Sequence, residues 1–250
     1  LERPLAFNAF RHQLFLRGGA GGFDFTELNI SNVEEIVFNE TGDSTMILSS
    51  KEIDAGFELL SVTIDGFSGG SNAENKVVVN IEDAYNSGNL DLSGWIFQDW
   101  QNEWDSIEIY GTDADQEIIG TSQNDIIEAG PGQDTVYGGS GDDVFLDIES
   151  AAPSHVDVYY GGAGIDTVVD GTGYESTVTF NLATGQQVIS SGVRDLYYGI
   201  ENLSAGGSAS IIGSNGANHL IGISGSMANS ANDIDGGYGN DTIEGGLGND

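Results

Sequence analysis

Aspartates recur in the second half of this chain at a fixed distance behind glycines, a pattern with the oxygen chemistry to hold a hard cation. The clearest segments are Gly138-Gly139-Ser140-Gly141-Asp142-Asp143-Val144-Phe145-Leu146, Gly161-Gly162-Ala163-Gly164-Ile165-Asp166-Thr167-Val168-Val169 and Gly236-Gly237-Tyr238-Gly239-Asn240-Asp241-Thr242-Ile243-Glu244. Each nine-residue unit has Gly at steps one, two and four, Asp at step six and an apolar residue at step eight. Glycine admits the positive φ angles of a tight turn, and such a turn can aim carbonyl oxygens inward. The candidate metal residues are therefore the acids Asp125, Asp134, Asp143, Asp157, Asp166, Asp241 and Asp250, with Asn232 as a weaker donor. With them go the turn glycines Gly130, Gly132, Gly139, Gly141, Gly162, Gly164, Gly237 and Gly239. Carboxylate and carbonyl oxygens suit Ca²⁺, which takes six to eight of them in loose geometry. Zn²⁺ would call for His or Cys, which the repeats hardly offer.

The register extends through imperfect units. Sixth-step residues run Gln116, Asp125, Asp134 and Asp143, then step by fourteen to Asp157 and by nine to Asp166. A later block runs Ala209, Asn218, Asn232, Asp241 and Asp250, again with one fourteen-residue step. Each long step equals one nonad plus five residues, which reads as a loop insertion that keeps register. The eighth steps are Ile118, Ile127, Val136, Phe145, Tyr159, Val168, Ile211, Leu220, Ile234 and Ile243, all expected to face a core. Ala209 has no side-chain oxygen, so the block around 204–221 is expected to bind poorly or not at all.

This G-G-x-G-x-D-x-U-x unit resembles the RTX, or hemolysin-type, family of calcium-binding nonapeptide repeat proteins. The resemblance implies an all-β fold, a right-handed parallel β-roll or β-helix solenoid with two nonads per coil and several Ca²⁺ ions in its turns. Sixth-step residues eighteen apart, or separated by two nonads and an insertion, should then share an edge. The expected pairs are Asp125 with Asp143, Asp134 with Asp157 and Asp143 with Asp166. Gln116 with Asp134 and Asn232 with Asp250 are weaker pairs, and Asp241 is expected to pair beyond the chain's end. The resemblance also implies secretion through a type I channel, an extracellular or cell-surface location, and folding that depends on calcium.

Composition points the same way. Six basic residues against forty acidic ones give a net charge of −34, which disfavours binding to nucleic acids or anionic membranes. Such a charge repels itself in a compact state unless cations neutralise it. Without cysteine there are no disulfides, so bound metal becomes the available staple. No apolar run is long enough to span a membrane as a helix. The chain starts without Met and stops at Asp250 inside a nonad, so it reads as an internal fragment of a longer protein.

Five segments are expected: a cap or linker over 1–19, a β-rich module over 20–110, a repeat block over 111–169, an intervening β segment over 170–203 and a second block over 204–250. Gly and Asp support a composition change near residue 110. Residues 1–110 hold 11 Gly and 8 Asp, whereas 111–250 hold 27 and 15, as metal-binding turns require. Within 20–110, short β-branched runs at 35–38, 45–48, 60–64, 76–81 and 106–110 suit rungs of an irregular parallel β-helix, with a separate β-sandwich as the competing reading. Within 170–203, the strand-like runs are 176–182, 187–189 and 196–198, and Tyr198-Gly199-Ile200-Glu201-Asn202-Leu203 resembles a segment that often precedes a new block in RTX proteins.

Other features carry weaker signals. Gly66-Phe67-Ser68-Gly69-Gly70 matches a nucleophile elbow, but a second strand-like run follows where a helix is needed, so a plain turn is favoured. His12, His155 and His219 form no metalloprotease motif. Trp95, Trp100 and Trp104 lie close to Asp99, Glu103 and Asp105, a composition able to bind sugar rings; covering or filling a solenoid is favoured. The functional expectation is a non-catalytic calcium-binding region of a larger secreted bacterial protein. Two alternatives remain: an adhesin or carbohydrate-binding module that takes polysaccharide or cell-surface glycan, and the non-catalytic part of a secreted hydrolase.

Overall fold

The computed structural model describes residues 13–16, 23–24, 35–38, 44–50, 63–65, 74–82, 89–148, 155–171, 178–189, 192–207, 209–223 and 232–246. These residues form strands and turns arranged as stacked rungs. One face is a ten-strand parallel sheet whose order in space is its order in sequence. It runs from Phe23–Asp24 through Ser44–Ser49, Asn75–Asn80, Ser106–Tyr110, Asp125–Glu128, Val144–Asp147, Thr167–Asp170, Asn202–Gly206 and His219–Ile223 to Thr242–Glu244. A four-strand parallel sheet accompanies its first part: Gln13–Leu16, Glu35–Phe38, Thr63–Asp65 and Ile96–Gln98. A nine-strand sheet accompanies the remainder and includes Glu117–Ile119, Thr135–Ser140 and Val158–Ala163. The pairing in the first half is parallel, that of stacked rungs and not of an antiparallel sandwich.

The sequence dictates this through period two. Buried and half-buried residues alternate along these strands, with the eighth step of each nonad inward and the seventh and ninth outward. Ile118, Ile127, Val136, Phe145, Tyr159, Val168, Ile211 and Leu220 are at most 2% exposed. Burying each such side chain stabilises the fold by about 1.5–3 kcal/mol. Ile243 departs from the expectation at 48% exposure, because Thr242–Glu244 is the last strand of its sheet among the described residues and has one neighbour only. Rungs pair eighteen residues apart at Ile126 and Val144, and twenty-three apart at Val144 and Thr167, so the five-residue insertion leaves register intact.

The interruption at 170–203 is where parallel order fails. Val178–Asn181, Gln186–Ile189 and Gly192–Tyr198 pair antiparallel to one another inside the nine-strand sheet. That sheet places three strands between Val158–Ala163 and Ala209–Ile212, whereas the ten-strand sheet places only Asn202–Gly206 between Thr167–Asp170 and His219–Ile223. The core turns polar here. Arg194, 3% exposed, lies 3.5 Å from Asp147 Oδ1 and 3.4 Å from Asp195 Oδ2. Gln187 Nε2 donates to Asp170 Oδ2 at 2.7 Å, and Tyr197 Oη contacts Asp147 Oδ2 and Gln187 Oε1. Burial raises the Asp147 carboxyl well above the usual range and lifts Asp195 to about 7, with Arg194 opposing both.

Two substitutions test this packing in saturating calcium by denaturant unfolding. Phe145→Ala, which opens a cavity at a fully buried eighth step, should cost about 3–5 kcal/mol. Arg194→Met leaves the buried carboxylates uncompensated and should cost a similar amount, about 3–5 kcal/mol.

Candidate metal centre

Successive rungs of the first repeat block are tied to one another by carboxylates. The Asp125 N–H donates to Asp143 Oδ1 at 2.9 Å, and the Asp143 N–H donates to Asp166 Oδ1 at 2.9 Å. On the other edge, Gln116 N–H donates to Asp134 Oδ1 and Asp134 N–H to Asp157 Oδ1, both at 2.8 Å. The expected pairs 125/143, 134/157, 143/166 and 116/134 are thus brought together. Asp241 pairs within the described chain, its Oδ1 accepting the Asn218 N–H at 3.0 Å. Asp250 lies outside the described residues.

These acids are deeply buried: Asp143 and Asp166 are 0% exposed. The second oxygen, Oδ2, of each has no hydrogen-bond partner. A buried carboxylate oxygen left in this way is costly unless a cation meets it. Step-one glycines border the same space. A Cβ on Gly138 would collide with Asp143 Oδ2 and lie 2.7 Å from the Gly161 carbonyl oxygen. On Gly161 it would collide with Asp166 Oδ2 and the Gly199 carbonyl oxygen. Step-one glycine is therefore required by close approach, not by positive φ as expected. Positive φ belongs to steps two and four: Gly139 and Gly162 both sit at 115°, and Gly130, Gly132, Gly141, Gly164, Gly237 and Gly239 are also positive. Gly162 stacks directly on the Gly139 carbonyl, and Gly139 on that of Thr121.

Among the described residues no three acidic or histidine side chains converge on one point. A cation here would therefore draw on backbone carbonyls for most of its ligands, as Ca²⁺ accepts and softer metals do not. Two buried carboxylates with orphaned oxygens and a glycine-lined cradle fit that ion. Where bound, it would supply positive charge between rungs and would be held by Asp143, Asp166 and neighbouring carbonyls.

The other rungs are variants of this arrangement. Asp125 is 1% exposed, but Thr121 stands at its step two and donates both its N–H to Oδ2 at 2.6 Å and its hydroxyl to Oδ1 at 3.0 Å. Asp134 has Ala129 at step one, so a methyl stands where Gly138 leaves space. Asn232 Oδ1 accepts the Ala209 N–H at 3.1 Å, and its Nδ2 donates to the Gly245 carbonyl at 2.9 Å. The amide of Asn232 thus bridges rungs by hydrogen bonds, and its Nδ2 lies beside Gly222 as Asp143 Oδ2 lies beside Gly138.

Several participants escaped sequence reasoning. Asp195 Oδ1 accepts the Asp157 N–H, and Glu201 Oε2 accepts the Asp166 N–H, so the ladder enters the interruption. Asp105 extends it into the first half by accepting Asn75 N–H at 2.9 Å. A second ladder runs the other way at step five: Gln133 N–H donates to Asp115 Oδ1, Asp142 N–H to Asn124 Oδ1 and Ile165 N–H to Asp142 Oδ1. Its signal was in the sequence, since steps five carry Asp115, Asn124 and Asp142.

Two of the three candidate tryptophans are structural, whereas Trp104 is 40% exposed. Trp95 is buried in the core, and Trp100 packs on that core with Phe97 at 5.2 Å between ring centroids. Asp105 is committed to Asn75 and to the Gln101 N–H. On the outer face of the nine-strand sheet, Tyr137, Tyr160 and Tyr198 stack at 4.7 and 5.0 Å, which encloses Tyr160 and leaves Tyr198 44% exposed. Gly66 to Gly70 and His12 lie outside the described residues. His219 faces Glu244 at 3.0 Å.

The RTX calcium-binding nonapeptide repeat family matches residues 110–145, 155–174 and 229–250, in four copies. This chain carries RTX calcium-binding repeats. The matched stretches contain Asp125, Asp134, Asp143, Asp157, Asp166 and Asp241, and they omit the stretch around Ala209 and Asn218. No curated protein matches the chain.

Burial, aided by the charges of Asp166 and Asp142, pushes the Asp143 carboxyl up to about 7. Burial, with Glu201 and Asp142, pushes Asp166 to about 6. Burial likewise raises Asp125 and Asp157. A carboxyl whose folded pKa is raised stabilises the fold below its unfolded pKa, and that contribution is lost as pH rises through the folded value. The calcium-free chain should therefore gain β-structure and thermal stability between about pH 8 and pH 5, followed by circular dichroism; saturating calcium should abolish the gain. Gly138→Ala should fill the cradle and weaken calcium binding there by about tenfold, about 1.4 kcal/mol, measured by calorimetric titration.

Proposed function

We propose that this chain is a calcium-dependent folding and stabilising module of a larger secreted bacterial protein, extracellular or cell-surface in location. The observation that carries the reading is the pair of buried, unpartnered Oδ2 atoms of Asp143 and Asp166 beside step-one glycines. Stacked rungs bring like charges together, and a net charge of −34 leaves the chain few cations of its own. Calcium supplies the missing charge and converts repulsion between rungs into cross-linking.

Magnitudes fit an extracellular role. Extracellular calcium modules bind with Kd near 10⁻⁴–10⁻³ M. At a free concentration about ten times Kd, each independent site stabilises the fold by about 1.4 kcal/mol. A few sites reach a sizeable fraction of the ~5–15 kcal/mol that holds a domain together. In the cytosol, where free calcium is far below such a Kd, that stabilisation disappears and carboxylate repulsion remains. The chain would then stay largely unfolded before export through a type I channel and fold outside.

Far-UV circular dichroism during calcium titration tests this. A coil-to-β transition between about 0.1 and 10 mM calcium, with no equivalent response to Mg²⁺, is expected. A spectrum already fully β-rich in chelator would sink the proposal.

A further inference from the structure

We propose that Glu201 is a calcium ligand and that Gly199-Ile200-Glu201 is a compact turn closing the first repeat block with one more metal site. This inference rests on the calcium reading above. Register places the segment on the ladder. Tyr160 pairs with Tyr198, which sets Gly199 beside Gly161, and Thr167 pairs with Asn202, which sets Glu201 beside Asp166. Gly199 and Glu201 therefore occupy the step-one and step-six places of a rung that lacks the nonapeptide pattern.

The oxygens match those of the repeat rungs. Glu201 Oε2 accepts the Asp166 N–H at 3.0 Å, as Asp166 Oδ1 accepts that of Asp143 at 2.9 Å. Asp166 Oδ2 is buried and unpartnered. The space beside Gly161 is bordered by that oxygen and the Gly199 carbonyl, just as the space beside Gly138 is bordered by Asp143 Oδ2 and the Gly161 carbonyl. Four residues separate Gly161 from Asp166, but only Ile200 separates Gly199 from Glu201. The shorter turn sets the acid farther back, and the extra methylene of glutamate spans the difference. Ile200 is buried and pins the turn.

The next rung shows why the charged ladder stops there. Asn218 Nδ2 donates to the Glu201 carbonyl at 2.6 Å, so a neutral amide follows Glu201 where a carboxylate would continue the series. The site would hold one Ca²⁺ with the Asp166 and Glu201 carboxylates and the Gly199 carbonyl among its ligands.

The test counts calcium bound by the full 250-residue chain in equilibrium dialysis, for wild type, Glu201→Gln and Asp143→Asn. Glutamine keeps an oxygen for the Asp166 N–H and removes only the charge. Glu201→Gln should lose one equivalent, or bind it about tenfold more weakly, while circular dichroism in calcium is unchanged. Unchanged number and affinity in Glu201→Gln, with a loss in Asp143→Asn, would overturn this inference and leave the calcium reading standing. No calcium bound by wild type would overturn both. If Glu201→Gln does not fold, Glu201→Asp, which keeps the charge but loses the reach, is measured in the same way; the same loss supports the proposal and full binding overturns it.

Discussion

An aspartate that gives one oxygen to the rung before it must do something with the other. Here Oδ1 accepts a backbone N–H from the preceding rung, as at Asp143 and Asp166. That bond fixes register along the edge and draws the acid inward, where water cannot reach it. Oδ2 is then left in a dry, negatively charged column. The cost of that oxygen governs the rest of the structure: the glycine at step one, the stacked turns at steps two and four, and the need for an external cation. A hydrogen bond to a charged group contributes about 1.5–3 kcal/mol, but an unmet buried carboxylate oxygen costs a comparable amount, so the net gain from each rung depends on what meets Oδ2.

The chain meets this demand in several ways along its length. At Asp125 a threonine fills the place of a turn glycine and donates to both oxygens. At Asn232 an amide replaces the carboxylate and bridges to Gly245 by itself. At Asp147 and Asp195 a buried arginine supplies positive charge from within. Asp143 and Asp166 have none of these, and they lie in stretches that match the calcium-binding repeat family. The adjacent rungs of Asp143 and Asp166, which lack a partner for Oδ2, thus lie among rungs that carry their own partners. On the proposed reading, calcium would act chiefly at the former.

Much of this was legible in the sequence because a nonad with fixed steps encodes both the turn and the strand that follows. The eighth-step residues marked the core at Phe145, Tyr159 and Val168, and the first fourteen-residue step correctly predicted that Asp157 and Asp166 would stay in register. Ile243 failed because burial depends on a neighbouring rung as well as on position. The role of Gly138 was misread, since a missing Cβ and a positive φ leave the same letter in a sequence. Asp105, Asp195 and Glu201 were not legible: their place on the ladder is set by strand register across 30 to 38 residues, with no repeated spacing to reveal it. The antiparallel hairpin in the interruption was hidden similarly, because β-branched runs do not state the direction in which they pair.

The central claim is that the buried carboxylates of Asp143 and Asp166 are held by calcium rather than by the protein. The most direct measurement is thermal unfolding of the Asp143→Asn, Asp166→Asn double variant with and without calcium. Asparagine retains the oxygen that accepts the backbone N–H and removes the charge, as Asn232 does naturally. The account predicts opposite changes: a more stable chain in chelator and a much smaller gain on adding calcium. A variant that matches wild type in both conditions would contradict it.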